Sequence, residues 1–213
     1  MDTLRITEIF YSLQGEANTV GLPTVFIRLT GCPLRCVYCD TAYAFQGGSK
    51  WTLAAILQEV AQYGTPYVTV TGGEPLAQPN CLDLLHALVE QGLQVSLETS
   101  GALDVAAVDP RVVKVMDLKT PASGEMDKNR YANIAYLTPQ DQVKFVIADE
   151  QDYAWSKAML SEHQLAQRCQ VLFSAMVGYQ QPTWLADKIL QDRLPVRFQI
   201  QLHKYLWGDA QGK

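Results

Sequence analysis

Three of the five cysteines, Cys32, Cys36 and Cys39, fall within eight residues in the run GCPLRCVYCDT. Thiolates gathered at C-x3-C-x2-C spacing suit a soft metal, either zinc or an iron–sulfur cluster. A structural zinc ion takes four protein ligands. Here the fourth would have to be Cys81, Cys169 or one of His86, His163 and His203, none of them at zinc-knuckle spacing. A 4Fe–4S cluster also commonly takes four protein thiolates. Three leave one iron open to another molecule, which is a chemical reason to stop at three. Zinc with a distant fourth ligand stays open as the alternative. Cys81 and Cys169 stand alone in apolar runs, NCLDLLHAL and QRCQVLF, and read as small buried hydrophobes.

Four further segments carry groups that could hold a ligand. In Thr71-Gly72-Gly73-Glu74-Pro75 the paired glycines let a ligand approach the backbone closely, and Glu74 could accept from an ammonium group. A plain glycine turn at a strand end is the competing reading. Glu98-Thr99-Ser100-Gly101 and Asp117-Leu118-Lys119 add carboxylates that accept hydrogen bonds and an ammonium that donates them. A solvated charge pair would look the same. Ser174-Ala175-Met176 is a weaker candidate, with Met176 equally suited to a core.

The elements that must position these residues alternate along the chain. TVFIRLT (24–30), YVTVT (67–71), QVSLET (94–99), VVKVMDL (112–118), QVKFVIA (142–148), QVLFSA (170–175) and VRFQIQL (196–202) read as strands. Helical patterns lie at 51–63, 81–91, 150–167 and 183–192, with a short helical turn expected near Val105. Such alternation implies βαβ units and a mostly parallel sheet. The expected fold is α/β: one domain over residues 1–213, an incomplete, TIM-like parallel barrel of about six strands, with the cysteine loop at 31–41. Each motif then falls at the C-terminal end of a strand, the face where α/β barrels hold their chemistry.

Bulk properties narrow the class. Hydrophobic residues make up 48% and charged residues 18% of the 213, as in a globular enzyme. The net charge of −5 argues against a nucleic-acid-binding surface. No run approaches the roughly 18 apolar residues of a membrane span, and the start of the chain has no apolar signal core. A cytoplasmic protein without membrane or nucleic-acid partners is expected.

The C-x3-C-x2-C run followed in order by GGEP, ETSG and DLK resembles the radical S-adenosylmethionine superfamily. The resemblance implies a 4Fe–4S cluster on Cys32, Cys36 and Cys39 that binds S-adenosylmethionine at its open iron. The aromatic residue before the third cysteine, Tyr38, fits. Gly73 and Glu74 are implied to meet the cofactor's amino group. Glu98, Ser100 and Lys119 are implied to meet its ribose and carboxylate, and Ser174 its adenosine.

Phe10-Tyr11-Ser12-Leu13-Gln14-Gly15-Glu16, with Phe26-Ile27-Arg28, Cys39-Asp40-Thr41 and Gln201-Leu202-His203-Lys204-Tyr205, narrows this. From Glu8 to Trp207 the chain is similar to the 7-carboxy-7-deazaguanine synthase family. That resemblance implies a homodimer that converts 6-carboxy-5,6,7,8-tetrahydropterin to 7-carboxy-7-deazaguanine with loss of ammonia, with Mg²⁺ and with flavodoxin or ferredoxin as reductant. Arg28 would pair with the substrate carboxylate. Gln14, with backbone groups of Leu13 and Gly15, would read the ring edge, and Thr71 would offer a hydroxyl. Thr41 would bind Mg²⁺ with help from Asp40, and His203 or Lys204 would meet the substrate from the C-terminal side. Structural roles compete here too: Gln14 could cap a turn, and Arg28 could pair with Glu16 or Glu98. DLKTPASG departs from the Ser-Pro-Lys of some relatives. Two other readings share part of the pattern. A glycyl-radical activating enzyme would not need LQGE or HKY, and a non-catalytic iron–sulfur electron carrier would not need GGEP, ETSG and DLK.

Overall fold

The computed structural model describes residues 3–179 and 181–213. Nine strands form one sheet: β1 (Thr3–Leu13), β2 (Pro23–Leu29), β3 (Ser49–Thr52), β4 (Tyr67–Gly72), β5 (Gln94–Thr99), β6 (Val113–Asp117), β7 (Gln142–Ile147), β8 (Gln170–Ala175) and β9 (Arg197–Gln199). Their order is β3-β1-β2-β4-β5-β6-β7-β8-β9. From β2 to β9 every pairing is parallel, while β1 lies antiparallel between β2 and β3. Five α-helices accompany the sheet: α1 (Leu53–Ala61), α2 (Cys81–Glu90), α3 (Glu150–Glu162), α4 (Pro182–Gln191) and α5 (Leu202–Trp207).

Alternation along the strands divides stability from chemistry. Val25 and Ile27 of β2, Val68 and Val70 of β4, and Val95 and Leu97 of β5 point one way, into a core with Ile56 and Val60 of α1 and Leu84, Leu85 and Leu88 of α2. Val143 and Phe145 of β7 and Val171 and Phe173 of β8 do the same against Tyr153 of α3 and Leu185 of α4. Each such side chain contributes about 1.5–3 kcal/mol by leaving water. The intervening residues Arg28, Thr69, Thr71, Glu98 and Lys144 point the other way and line a cavity. The face opposite the helices is thereby free to be polar.

Caps set the helix starts. The Thr52 side chain accepts from Ala55 N at the head of α1, and Asp149 accepts from Asp152 N at the head of α3. α3 stops at Glu162 because Gln164 adopts a left-handed conformation (φ 50°), so the pattern expected to run to 167 is broken there.

Other expectations are corrected as well. The seven segments read as strands form the parallel part, β2 and β4 to β9, one more than the roughly six expected, and β1 and β3 extend it antiparallel to nine. A register shift between Ile6 and Glu8 interrupts the alternation of β1, which hides the strand in the sequence. No helix forms near Val105; that loop is held instead by the buried Asn133, which donates to Gly101 O and Leu103 O and accepts from Val105 N. Of VRFQIQL only Arg197–Gln199 is strand. His203 therefore sits in α5 and not at a strand end.

Candidate active site

The cysteine loop leaves β2 and is fastened on three sides. Glu74 N donates to Gly31 O (2.8 Å), Val37 N to Ser123 O (2.9 Å) and Gly31 N to Ala44 O (2.8 Å). Gly73 is packed so closely that a Cβ there would lie 2.4 Å from Gly31 O and 2.6 Å from Cys32 Cβ. Only glycine allows the second loop to bear on the first. Tyr38 adds a contact, its hydroxyl lying 3.3 Å from Thr120 Oγ1. Thr120 in turn bonds Val146 O and the buried Asp152 carboxylate, which also accepts from Ala122 N and Ala148 N. Four strand-end loops are thus tied into one rim.

Within the rim lies a cavity of about 540 Å³, well within the size of small-molecule sites. Cys32, Cys36 and Cys39 line it together with Tyr38, Asp40, Thr41, Thr71, Gly73, Glu98, Ser100 and Lys119. Leu13, Gln14, Gly15, Arg28 and His203 line it too, so residues spread over nearly two hundred positions converge. Burial pushes the thiols of Cys32 and Cys36 up, with the Lys119 ammonium pulling the other way. Bound iron would oppose that push, since a metal deprotonates a coordinating thiol. Among the described residues no three His, Cys, Asp or Glu side chains surround a single ion point. A 4Fe–4S cluster engages one thiolate per iron, and the donor set of three cavity-facing thiols fits it.

Lys119 donates to Asp117 Oδ2 at 2.9 Å. Burial disfavours its charge, but Asp117 and Cys36 outweigh that and hold the ammonium above its ordinary range. Burial, then the charge of Asp117, pushes the Tyr38 phenol up to about 12, so it stays a neutral donor. Glu98 is pushed up to about 7 by burial, with Glu16 and Asp117 adding to the effect and Lys144 opposing it. His203 is lowered by burial despite the nearby Glu16 and Asp40 carboxylates. Its ring lies against Gly15, where a Cβ would come within 2.1 Å of Nδ1.

Arg28 pairs with neither Glu16 nor Glu98. Its Nε donates to Glu8 Oε1 at 2.7 Å, and the Tyr43 hydroxyl donates to the same oxygen at 2.8 Å. The guanidinium carbon lies 5.8 Å from the ring centroids of both Phe10 and Tyr43. This leaves the two terminal nitrogens, without protein partners among the described residues, to grip a carboxylate.

Two expected ligand residues do not face the cavity. Glu74 is fully buried, and its carboxylate accepts from Leu76 N, Ser100 N and the hydroxyls of Thr99 and Ser100. It is a tie between the loops after β4 and β5, not a free acceptor for an ammonium. Ser174 is buried on β8 outside the lining, which at this strand end falls instead to Met176 and Val177. The Gln14 side chain is also engaged: Nε2 donates to Thr69 Oγ1, and Oε1 accepts from Glu16 N. Residues to which the sequence assigned no ligand role complete the wall. Among them are Glu16, Lys144 and the segment Gly208–Lys213. Lys144 carried a signal, being a lysine inside an otherwise apolar strand pattern.

Comparison with known proteins agrees with this geometry. Residues 26–118 match the family model described as Radical SAM superfamily. A 7-carboxy-7-deazaguanine synthase of Chlorobaculum tepidum is 46% identical, covering 98% of this chain and 97% of that protein. The protein of the same name from Koribacter versatilis is 41% identical, covering 96% and 97%. The crystal structure of QueE from Escherichia coli superposes with a TM-score of 0.75 at 21% identity, covering 95% and 96% of the two chains, which shows the shared fold. SuiB of Streptococcus suis bound to S-adenosylmethionine shares the fold over 80% of this chain and 45% of its own, at 14% identity and a TM-score of 0.56. With this identity sustained along its whole length, the chain belongs to the 7-carboxy-7-deazaguanine synthase family.

Proposed function

We propose that this chain converts 6-carboxy-5,6,7,8-tetrahydropterin to 7-carboxy-7-deazaguanine with loss of ammonia, using a 4Fe–4S cluster, S-adenosylmethionine and Mg²⁺. The observation that carries the reading is the convergence on one cavity of three thiols and a guanidinium already fixed by Glu8. A cluster alone would need only the thiols; a carboxylate-bearing ring beside it also needs the guanidinium.

When bound, the cluster and cofactor supply a carbon-centred radical able to abstract hydrogen from the substrate. Everything else falls to the chain. Arg28 presents its two terminal nitrogens to the substrate carboxylate in parallel, the geometry that gives arginine its advantage over lysine. Lys119, kept charged by Asp117, suits the carboxylate of the cofactor's methionine part. Gly72 and Gly73 bring bare backbone to the same end of the cavity, Ser100 borders it, and Glu98 offers a carboxyl to the ribose. Thr41 and Asp40, just past Cys39, provide hard oxygen donors for Mg²⁺. With the Gln14 side chain engaged inside the protein, ring-edge reading falls to the backbone of Leu13 and Gly15 and to His203. The segment Gly208–Lys213 borders the remaining side of the cavity, where Lys204 donates to the exposed Asp209 at 2.7 Å. A homodimer, an external flavodoxin or ferredoxin reductant and a cytoplasmic setting complete the proposal; no helix among the described residues is long and apolar enough to cross a membrane.

The test is anaerobic. The reconstituted, reduced protein is given S-adenosylmethionine, Mg²⁺ and 6-carboxytetrahydropterin, and products are followed by mass spectrometry. Deazaguanine in excess of enzyme is the expected result. Deoxyadenosine without deazaguanine would move the substrate to another molecule, and neither compound from an intact reduced cluster would end the catalytic reading.

A further inference from the structure

Glu16 stands on the cavity wall directly after the Leu13–Gly15 segment, and over nine-tenths of it is buried. Its Oε2 accepts from Lys144 Nζ at 2.7 Å. Its Oε1 has no partner among the described residues and is shut off from solvent. A buried carboxylate oxygen without a donor is costly unless a ligand supplies one. Asp117 shows the same pattern, with Oδ2 held by Lys119 and Oδ1 unpartnered. That pair belongs to the cysteine side, where both groups act on Cys36. Glu16 is held by Lys144 instead, with the His203 ring and, more weakly, the Asp117 carboxylate also acting on it.

We infer that the Glu16 carboxylate is a specificity element that accepts from the N–H edge of the bound heterocycle, at its exocyclic amino group and adjoining ring N–H. This rests on the proposed pterin substrate and deepens it. An amino group beside a ring N–H presents two donors side by side, which suit a carboxylate with lone pairs on both oxygens. Lys144 holds Oε2 and so sets the direction of the other oxygen. It is also 3.6 Å from Glu98 Oε2, so its ammonium keeps a second carboxylate when Glu16 is altered. Substitution of Glu16 therefore does not strand a buried charge.

The experiment measures binding, not turnover. Holoenzyme loaded with cluster and S-adenosylmethionine is titrated with 7-carboxy-7-deazaguanine and with the analogue carrying hydrogen in place of the exocyclic amino group. Wild type is expected to prefer the amino-bearing ligand by roughly 10- to 150-fold, the span for a hydrogen bond to a charged group. Glu16→Gln is expected to bring that ratio to within about threefold, while cluster content and affinity for S-adenosylmethionine stay put. Glu16→Asp, which keeps the charge but withdraws it by one methylene, is expected to lower the ratio as well, and serves if Glu16→Gln does not fold. An unchanged ratio in the soluble variants overturns the assignment, as does a wild type that binds both ligands equally while turning over the pterin. A wild type that binds neither ligand and forms no deazaguanine overturns the proposed function and this inference with it.

Discussion

Replacing Glu74 by alanine separates two roles that its place in the GGEP run leaves equally open. The structure makes it a buried tie: four donors, the amides of Leu76 and Ser100 and the hydroxyls of Thr99 and Ser100, lose their acceptor together. A hydrogen bond to a charged group nets about 1.5–3 kcal/mol, so simple addition would give about 6–12 kcal/mol. The bonds share one acceptor and are not additive, the two hydroxyls can turn to other partners, and the cost of burying the carboxylate disappears with it. The expected loss is therefore about 3–5 kcal/mol, the range for breaking a buried charged network. That is a large part of the roughly 5–15 kcal/mol that holds a typical domain. Glu74→Gln keeps one acceptor oxygen but turns an amide N–H toward donors, and should cost about 2–3 kcal/mol. Urea unfolding of the cluster-free chain reads the stability, and titration with S-adenosylmethionine after reconstitution reads the binding. If Glu74→Ala unfolds within about 1 kcal/mol of wild type yet loses the cofactor, Glu74 is a ligand and the tie is wrong.

Gly73→Ala drives a methyl against Gly31 O and Cys32 Cβ, so iron and sulfide bound per chain should fall well below wild type; normal loading would mean the two loops can part freely. Arg28→Ala should weaken substrate binding at least tenfold while slow cofactor cleavage without substrate persists, and Arg28→Lys should restore it only in part because a lysine cannot make the paired bond. Normal substrate affinity in Arg28→Ala would leave the guanidinium a purely structural partner of Glu8. Glu98, raised from 4.5 to about 7, holds a proton in the folded state that it releases when unfolded, so its contribution is fully present below about pH 4.5 and is lost as pH rises toward 7. The shift corresponds to at most about 3 kcal/mol, and unfolding curves across that range should show wild type losing stability that Glu98→Gln retains. Parallel pH profiles for the two proteins would sink the assignment.

The parallel strands were legible because their outer faces carry unbroken pairs such as Val68 with Val70 and Val143 with Phe145, which only helix-covered strands require. QVSLET and QVLFSA match β5 and β8 to the residue. The edges were less so. β1 loses its alternation at the shift after Ile6, and β3 is four residues of mixed character with little burial. VRFQIQL reads as one strand by alternation alone, yet its second half turns into α5 under tertiary control: Leu202 N donates to Gly15 O and His203 packs on Gly15. No local pattern records a contact between positions nearly two hundred residues apart.

The same limit separates the two halves of the site. Cysteines, paired glycines and Arg28 announce themselves because few other roles need those types at those spacings. A carboxylate says nothing by itself about what it meets. Glu74, Glu98, Glu16 and Glu8 look alike in sequence, yet one ties two loops, one is pushed up to about 7 by burial, one lines the cavity with a buried oxygen unpaired, and one steers Arg28. What separates them is the donor set that folding brings to each: four donors around Glu74 satisfy it, whereas the single lysine beside Glu16 does not. Ligand-binding carboxylates here are therefore recognised by incomplete satisfaction, which motif alone does not reveal: the LQGE run marks Glu16, but only the fold shows that one of its buried oxygens has no partner among the described residues.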